Sequence, residues 1–133
     1  MNHVLGEAEE PILKAIERLL KKDEDAHPFI VIDKVGRPDL FVQFAPCRAV
    51  YEFRIPFVVT VKLFKRSYTG NVFFDAPPLG IYLEETPPER GARRAIEGLY
   101  ELGLAAEDRI VIHEQEDEPP PWKGEPFWKR LFS

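Results

Sequence analysis

The chain has 133 residues, of which 44% are hydrophobic and 31% charged, with a formal net charge of −5. That length suits one ordinary domain, and the apolar share excludes a disordered chain and supports a core without a metal or disulfide staple. The acidic balance argues against nucleic acid as a main partner, because phosphate binding needs a basic face.

A single cysteine, Cys47, excludes an internal disulfide framework and fits a reducing compartment. The opening residues carry Glu7, Glu9 and Glu10 where a secretory signal has a basic start and an apolar run. The longest nearly apolar run, Ile55 to Val61, is far too short to span a bilayer. The expectation is a soluble, cytoplasmic protein that makes no membrane contact. Labile side chains are scarce, and thirteen prolines lie mostly between apolar runs, a combination common in thermophilic proteins.

The first predicted element is a helix over about Glu9 to Lys22. Ile12, Ala15, Ile16, Leu19 and Leu20 recur at helical spacing, Pro11 falls in the first turn, and Lys21 and Lys22 suit the negative end of the dipole. Phe29 to Asp33 is apolar on both faces and reads as a central strand. Val35-Gly36-Arg37-Pro38 reverses the chain into Leu40 to Ala45, giving a hairpin. Pro46-Cys47-Arg48 reads as a break before a strand over Val50 to Arg54. In Phe57 to Lys65 the alternation of Phe57, Val59, Val61 and Leu63 with Thr60 and Lys62 marks a half-exposed strand.

A turn over Ser67 to Gly70 leads into a strand at Asn71 to Asp75, and Pro77-Pro78 separates that strand from Ile81 to Glu85. Thr86-Pro87-Pro88-Glu89 has the form of a capping box, predicting a helix to about Leu102 that Gly103 stops. Its inner stripe is Ala92, Ile96 and Leu99, and the cost of Gly91 and Gly98 inside it implies close approach to another backbone. Arg109 to Gln115 is the last strand. The connections are too short for parallel crossovers. The fold class is therefore α+β, a two-layer architecture with a mainly antiparallel, curled sheet of six or seven strands and two helices packed on it. Residues 1–118 form one domain, and 119–133 form a proline- and aromatic-rich tail.

No strong catalytic motif is present: there is no G-x-S-x-G elbow, phosphate loop, paired cysteine or H-E-x-x-H. His3, His27, His113 and Cys47 are scattered without metal-ligand spacing, so no metal or other cofactor is expected, and Cys47 reads as a structural thiol. Glu84 and Glu85, and Glu114 with Glu116, Asp117 and Glu118, end two strands. They read either as acidic edges that discourage strand pairing or as the carboxylate cluster of a small enzyme. Lys62, Lys65 and Arg66, near Phe64 and Tyr68, would serve a weak nucleic-acid binder, or else cover a hairpin tip. In the tail, Trp122, Phe127, Trp128, Leu131 and Phe132 follow Pro119-Pro120-Pro121 and hold both tryptophans of the chain. Such residues form partner-binding anchors, or they fold back to close an exposed sheet face of their own domain.

Pro28-Phe29-Ile30-Val31-Ile32, the turn, Phe41-Val42-Gln43-Phe44-Ala45 and the following Val50-Tyr51-Glu52-Phe53 resemble the opening of YbjN-like and type III secretion chaperone-like domains. Leu99-Tyr100-Glu101-Leu102-Gly103 matches a later helix end of the same pattern, and the resemblance covers about residues 8–105. Leu104 stands where an aromatic often follows that glycine, and the tail is foreign to the pattern. The resemblance implies a non-enzymatic protein-binding domain, often a homodimer. The residues give the same expectation, a protein-binding or assembly role with itself and another protein as partners.

Overall fold

A computed structural model describes residues 2–22, 28–49 and 67–116. Within them lie six strands and two helices: β1 (Asn2–Val4), α1 (Glu9–Lys21), β2 (Pro28–Lys34), β3 (Arg37–Ala49), β4 (Ser67–Ala76), β5 (Ile81–Thr86), α2 (Pro88–Glu101) and β6 (Arg109–Glu116). The strands form one sheet in the order β1-β6-β2-β3-β4-β5, and every neighbouring pair is antiparallel. Both helices pack on the sheet, giving the α+β architecture expected from the sequence.

The alternation of side chains decides which face the helices cover. Ile30 and Ile32 of β2, Val42 and Phe44 of β3, Val72, Phe74 and Ala76 of β4, and Ile110 of β6 are all buried. They meet Ile12, Ile16 and Leu19 of α1 and Ala92, Ala95 and Leu99 of α2 in one hydrophobic cluster. The Phe44 and Phe74 rings lie 5.5 Å apart at 51° in its centre, a tilted geometry that aromatic quadrupoles favour.

The two helices differ in how closely they approach. Helix α1 projects large aliphatic residues inward, as its periodicity predicts. Helix α2 turns a stripe of Gly91, Ala92, Ala95 and Gly98 to the sheet. A Cβ at Gly98 would lie 3.2 Å from Phe74 Cζ and 3.3 Å from Val42 Cγ1, and one at Gly91 would meet Phe44, Thr86 and Val72 at 3.3–3.4 Å. The close approach expected from these glycines is thus to side chains of the sheet, not to another backbone. The helix ends as predicted: Gly103 adopts φ 99°, and Leu104 N–H donates to the Leu99 carbonyl at 3.2 Å, while Leu104 itself is buried. That is a Schellman termination with its hydrophobic contact.

Three local expectations are corrected, and one strand is added. Thr86 is the last residue of β5, not the cap of α2; the cap position is Pro87, and the Thr86 hydroxyl donates only to the Pro87 carbonyl at 3.4 Å. Here tertiary pairing of β5 with β4, with Thr86 opposite Val72, overrides the local capping signal. Pro46-Cys47-Arg48 does not break the chain. Strand β3 runs through it with a register shift, and a bulge tolerates a proline that a regular ladder would not. Ser67 to Gly70 are strand rather than turn. Asn2–Val4, for which the sequence carries no strand signal, pairs with β6 at one sheet edge. The strands expected at Val50–Arg54 and Phe57–Lys65 lie outside the described residues.

Candidate interaction face

The second face of the sheet is turned away from both helices, and its side chains come from the alternate positions of the same strands. Cross-strand pairing sets them in rungs: Val111, Asp33 and Phe41; His113, Val31, Gln43 and Asp75; Gln115 and Phe29; Ala45, Phe73 and Glu85. Apolar and acidic groups therefore interleave across it. Phe29, Val31, Phe41 and Phe73 are half-buried, in contrast to the fully buried residues on the helix side. A shallow open depression of about 320 Å³ lies among Val31, Asp33, Pro38, Phe41, His113 and Gln115.

The polar groups of this face hold one another. His113 Nε2 lies 3.2 Å from Asp33 Oδ1. Gln43 Nε2 donates to Asp75 Oδ2 at 3.4 Å, and the other oxygen of Asp75 accepts the Leu83 N–H. Glu85 Oε1 accepts from Asn71 Nδ2 at 3.1 Å and from the Cys47 thiol at 3.4 Å. Cys47 is itself buried, as the structural reading expects.

The two sheet edges differ as templates for strand addition. One is the three-residue β1, which pairs only with Arg109, Ile110 and Val111 and leaves residues 112–116 of β6 with no strand on that side among the described residues. The other, β5, bulges where its register shifts between Phe74 and Ala76 of β4, and there Leu83 takes φ 49°. A left-handed residue in an edge strand turns its backbone groups out of line and blunts pairing. The bulge also leaves Tyr82 and Leu83 68% and 63% exposed. Sequence alternation alone did not reveal this bulge, because Ile81 to Glu85 reads as an uninterrupted strand.

The carboxylates singled out from the sequence are not gathered. Glu84 on β5 and Glu114 on β6 are four strands apart, roughly 19 Å at about 4.8 Å per strand. Arg94 Nε donates to Glu84 at 3.3 Å, and its Nη1 lies 3.6 Å from Glu97 and Glu101 while the guanidinium stacks 5.3 Å from the Phe74 ring centre. Arg18 grips Glu114 through two bonds of 2.8 and 3.0 Å. That fork holds the Glu114 carboxyl below its ordinary range and the Arg18 guanidinium above its own, against a smaller opposing effect of burial. A carboxyl so stabilised as an anion is poorly suited to act as a general acid.

A second crevice, about 460 Å³, lies between α1 and β6, with His3, Lys14, Arg18 and Glu114 among its walls. His3 thus lies on the helix side and His113 on the opposite face. Among the described residues no group of three or more histidine, cysteine or acidic side chains is placed to hold a metal ion. No described helix is long and apolar enough to cross a membrane. His27, Lys62, Lys65 and Arg66 lie outside the described residues, as do Trp122, Phe127, Trp128, Leu131 and Phe132. Comparison of the chain with protein-family models, with curated proteins and with solved structures returns no match.

Proposed function

We propose that this chain is a non-enzymatic, chaperone-like protein-binding or assembly domain of the cytoplasm, acting as a homodimer without a cofactor. The observation that carries this reading is the sheet face opposite the helices, where half-buried Phe29, Val31, Phe41 and Phe73 alternate with Asp33, Asp75 and Glu85. A face of that composition, apolar in patches and polar between them, is what a protein partner covers. Residues 119–133 supply the aromatic anchors Trp122, Phe127, Trp128, Leu131 and Phe132. The resemblance to YbjN-like and secretion chaperone-like domains supports the same role. So does the separation of Glu84 and Glu114, each held by its own arginine on a different strand.

Recovery of bound protein on the immobilised chain, with and without residues 119–133, tests the reading. Specific retention that depends on those residues is the expected result. Retention of neither another protein nor a second copy of the chain would overturn it.

A further inference from the structure

We propose that two copies of this chain join through the outer edge of β6, residues 112–116 of one adding antiparallel to the same residues of the other across a two-fold axis at Glu114. The inference rests on the self-association proposed above and names the strand through which it runs; the anchoring part given there to residues 119–133 is unchanged.

The edge itself is the first observation. Strand β6 pairs with β2 from Ile110 to Glu116, but with β1 only at Arg109, Ile110 and Val111. The Arg109 carbonyl accepts from Val35 N–H at 3.0 Å on the β2 side, and the Asp108 carbonyl accepts from Leu5 N–H at 2.9 Å on the β1 side. Backbone groups alternate in direction along a strand, so the N–H and C=O of Ile112, Glu114 and Glu116 all point outward, where no described strand meets them. Such a row is a template for another strand. The far edge offers none as regular, because Leu83 at φ 49° turns the groups of β5 out of line.

Register is the second. An axis at Glu114 sets Glu114 opposite its own counterpart and Ile112 opposite Glu116 of the second copy, so that outward groups meet outward groups and each rung exchanges both of its bonds. An axis at His113 would bring Glu116 of the second copy to Ile110, a place that His3 already fills. An axis at Gln115 would leave Ile112 without a partner rung. The end of β1 thus selects one register.

Charge is the third. Acidic residues on an edge ordinarily repel a second strand. Here α1 offsets them: Arg18 forks Glu114 at 2.8 and 3.0 Å, and Lys22 lies 3.7 Å from Glu116. The axis therefore gathers two glutamates with two arginines. Glu116 of the second copy, opposite Ile112, arrives at the crevice that Ile112 shares with Lys14 and Arg18. Lys14 is largely exposed, with Glu10 at 4.0 Å as its partner, and can turn to the incoming carboxylate. On the helix-free face β6 contributes Arg109, Val111, His113 and Gln115 and no carboxylate, and His113 meets Gln115 of the second copy. The edge is complementary to itself.

The test uses the full chain and follows amide hydrogen exchange residue by residue, at one concentration where it sediments as a dimer and one where it sediments as a monomer. The N–H groups of Ile112, Glu114 and Glu116 should exchange about tenfold or more slowly in the dimer, while those of Val111, His113 and Gln115, which face β2, stay slow in both. Equal protection of the outward groups at both concentrations means that another segment of the same chain covers the edge, and overturns the inference. A dimer in which they exchange as in the monomer removes the inference and leaves self-association standing, whereas a chain that never dimerises removes both. Glu114→Pro deletes an outward donor and leaves the ladder with β2 intact. That variant should keep its circular-dichroism spectrum and sediment as a single chain where the parent is a dimer. An equally tight dimer of the folded variant overturns the inference.

Discussion

Replacing Gly98 by alanine sets two opposing effects against each other at the contact between α2 and the sheet. An alanine in a helix interior is favoured over glycine by about 1 kcal/mol. The new methyl would sit 3.2 Å from Phe74 Cζ and 3.3 Å from Val42 Cγ1, inside the ordinary contact range of about 3.5–4.0 Å. Both neighbours are fully buried, Phe74 is wedged against Phe44, and Arg94 stacks on its ring. Overpacking of this kind costs about 1–3 kcal/mol, so the net expectation for Gly98→Ala is a destabilisation of about 1 kcal/mol. Urea unfolding should show a lower midpoint with an unchanged slope, and the melting temperature should fall by about 3–5 °C. In a Phe74→Leu background the nearest ring atom is gone, and the same substitution should become neutral or favourable, with a coupling of at least about 0.5 kcal/mol. Stabilisation by Gly98→Ala in the unaltered chain, with no coupling to position 74, would show that α2 stands further from the sheet than described here.

Thr86→Val should change stability by less than about 0.5 kcal/mol, because the hydroxyl caps nothing and its one bond is long, while Thr86→Ala should cost about 1 kcal/mol by removing the methyl packed near Gly91. Equal losses for both substitutions in thermal unfolding would restore the capping role. Glu114→Gln should destabilise the protein by about 0.5–1 kcal/mol near neutral pH, the modest value of a partly exposed fork with Arg18. Because Arg18 lowers the Glu114 pKa in the folded state, this contribution is present above the ordinary carboxylate range and is lost as pH falls through the depressed value. A pH series in which the variant and the parent stay equally far apart below that range would refute the assignment. Cys47, buried beside Glu85, should react with thiol reagents only as fast as the protein opens, and Cys47→Ser should leave self-association unchanged. Rapid labelling of the folded protein, with loss of association, would contradict a structural role.

Local periodicity carried most of the fold. The stripe Ile12, Ala15, Ile16 and Leu19 placed α1 correctly, the Val35-Gly36 turn placed the β2–β3 hairpin, and Gly103 marked the end of α2. The misreadings share one cause, which is that pairing partners distant in sequence decide where a strand ends. Thr86 looked like a cap because its neighbours are prolines and Glu89, yet β4 claims it for the sheet. Pro46 looked like a stop because proline lacks an amide proton, yet a bulge absorbs that deficit. For Asn2–Val4, three residues hold too little pattern to read, and only β6 makes them a strand. The interaction face was half legible. Phe29 to Asp33 showed apolar residues on both sides, but the rungs that bring Asp33, Asp75 and Glu85 onto one surface depend on register. The separation of Glu84 from Glu114 depends on strand order, which short connections leave open.

Sedimentation equilibrium of the full chain against a full-length variant carrying Trp122→Ser, Phe127→Ser, Trp128→Ser, Leu131→Ser and Phe132→Ser tests the assembly role most directly. The unaltered chain should sediment with twice the mass of its 133 residues, and the variant should sediment as a single chain. A single mass for both would contradict self-association, and a double mass for both would contradict the part given to residues 119–133 in it.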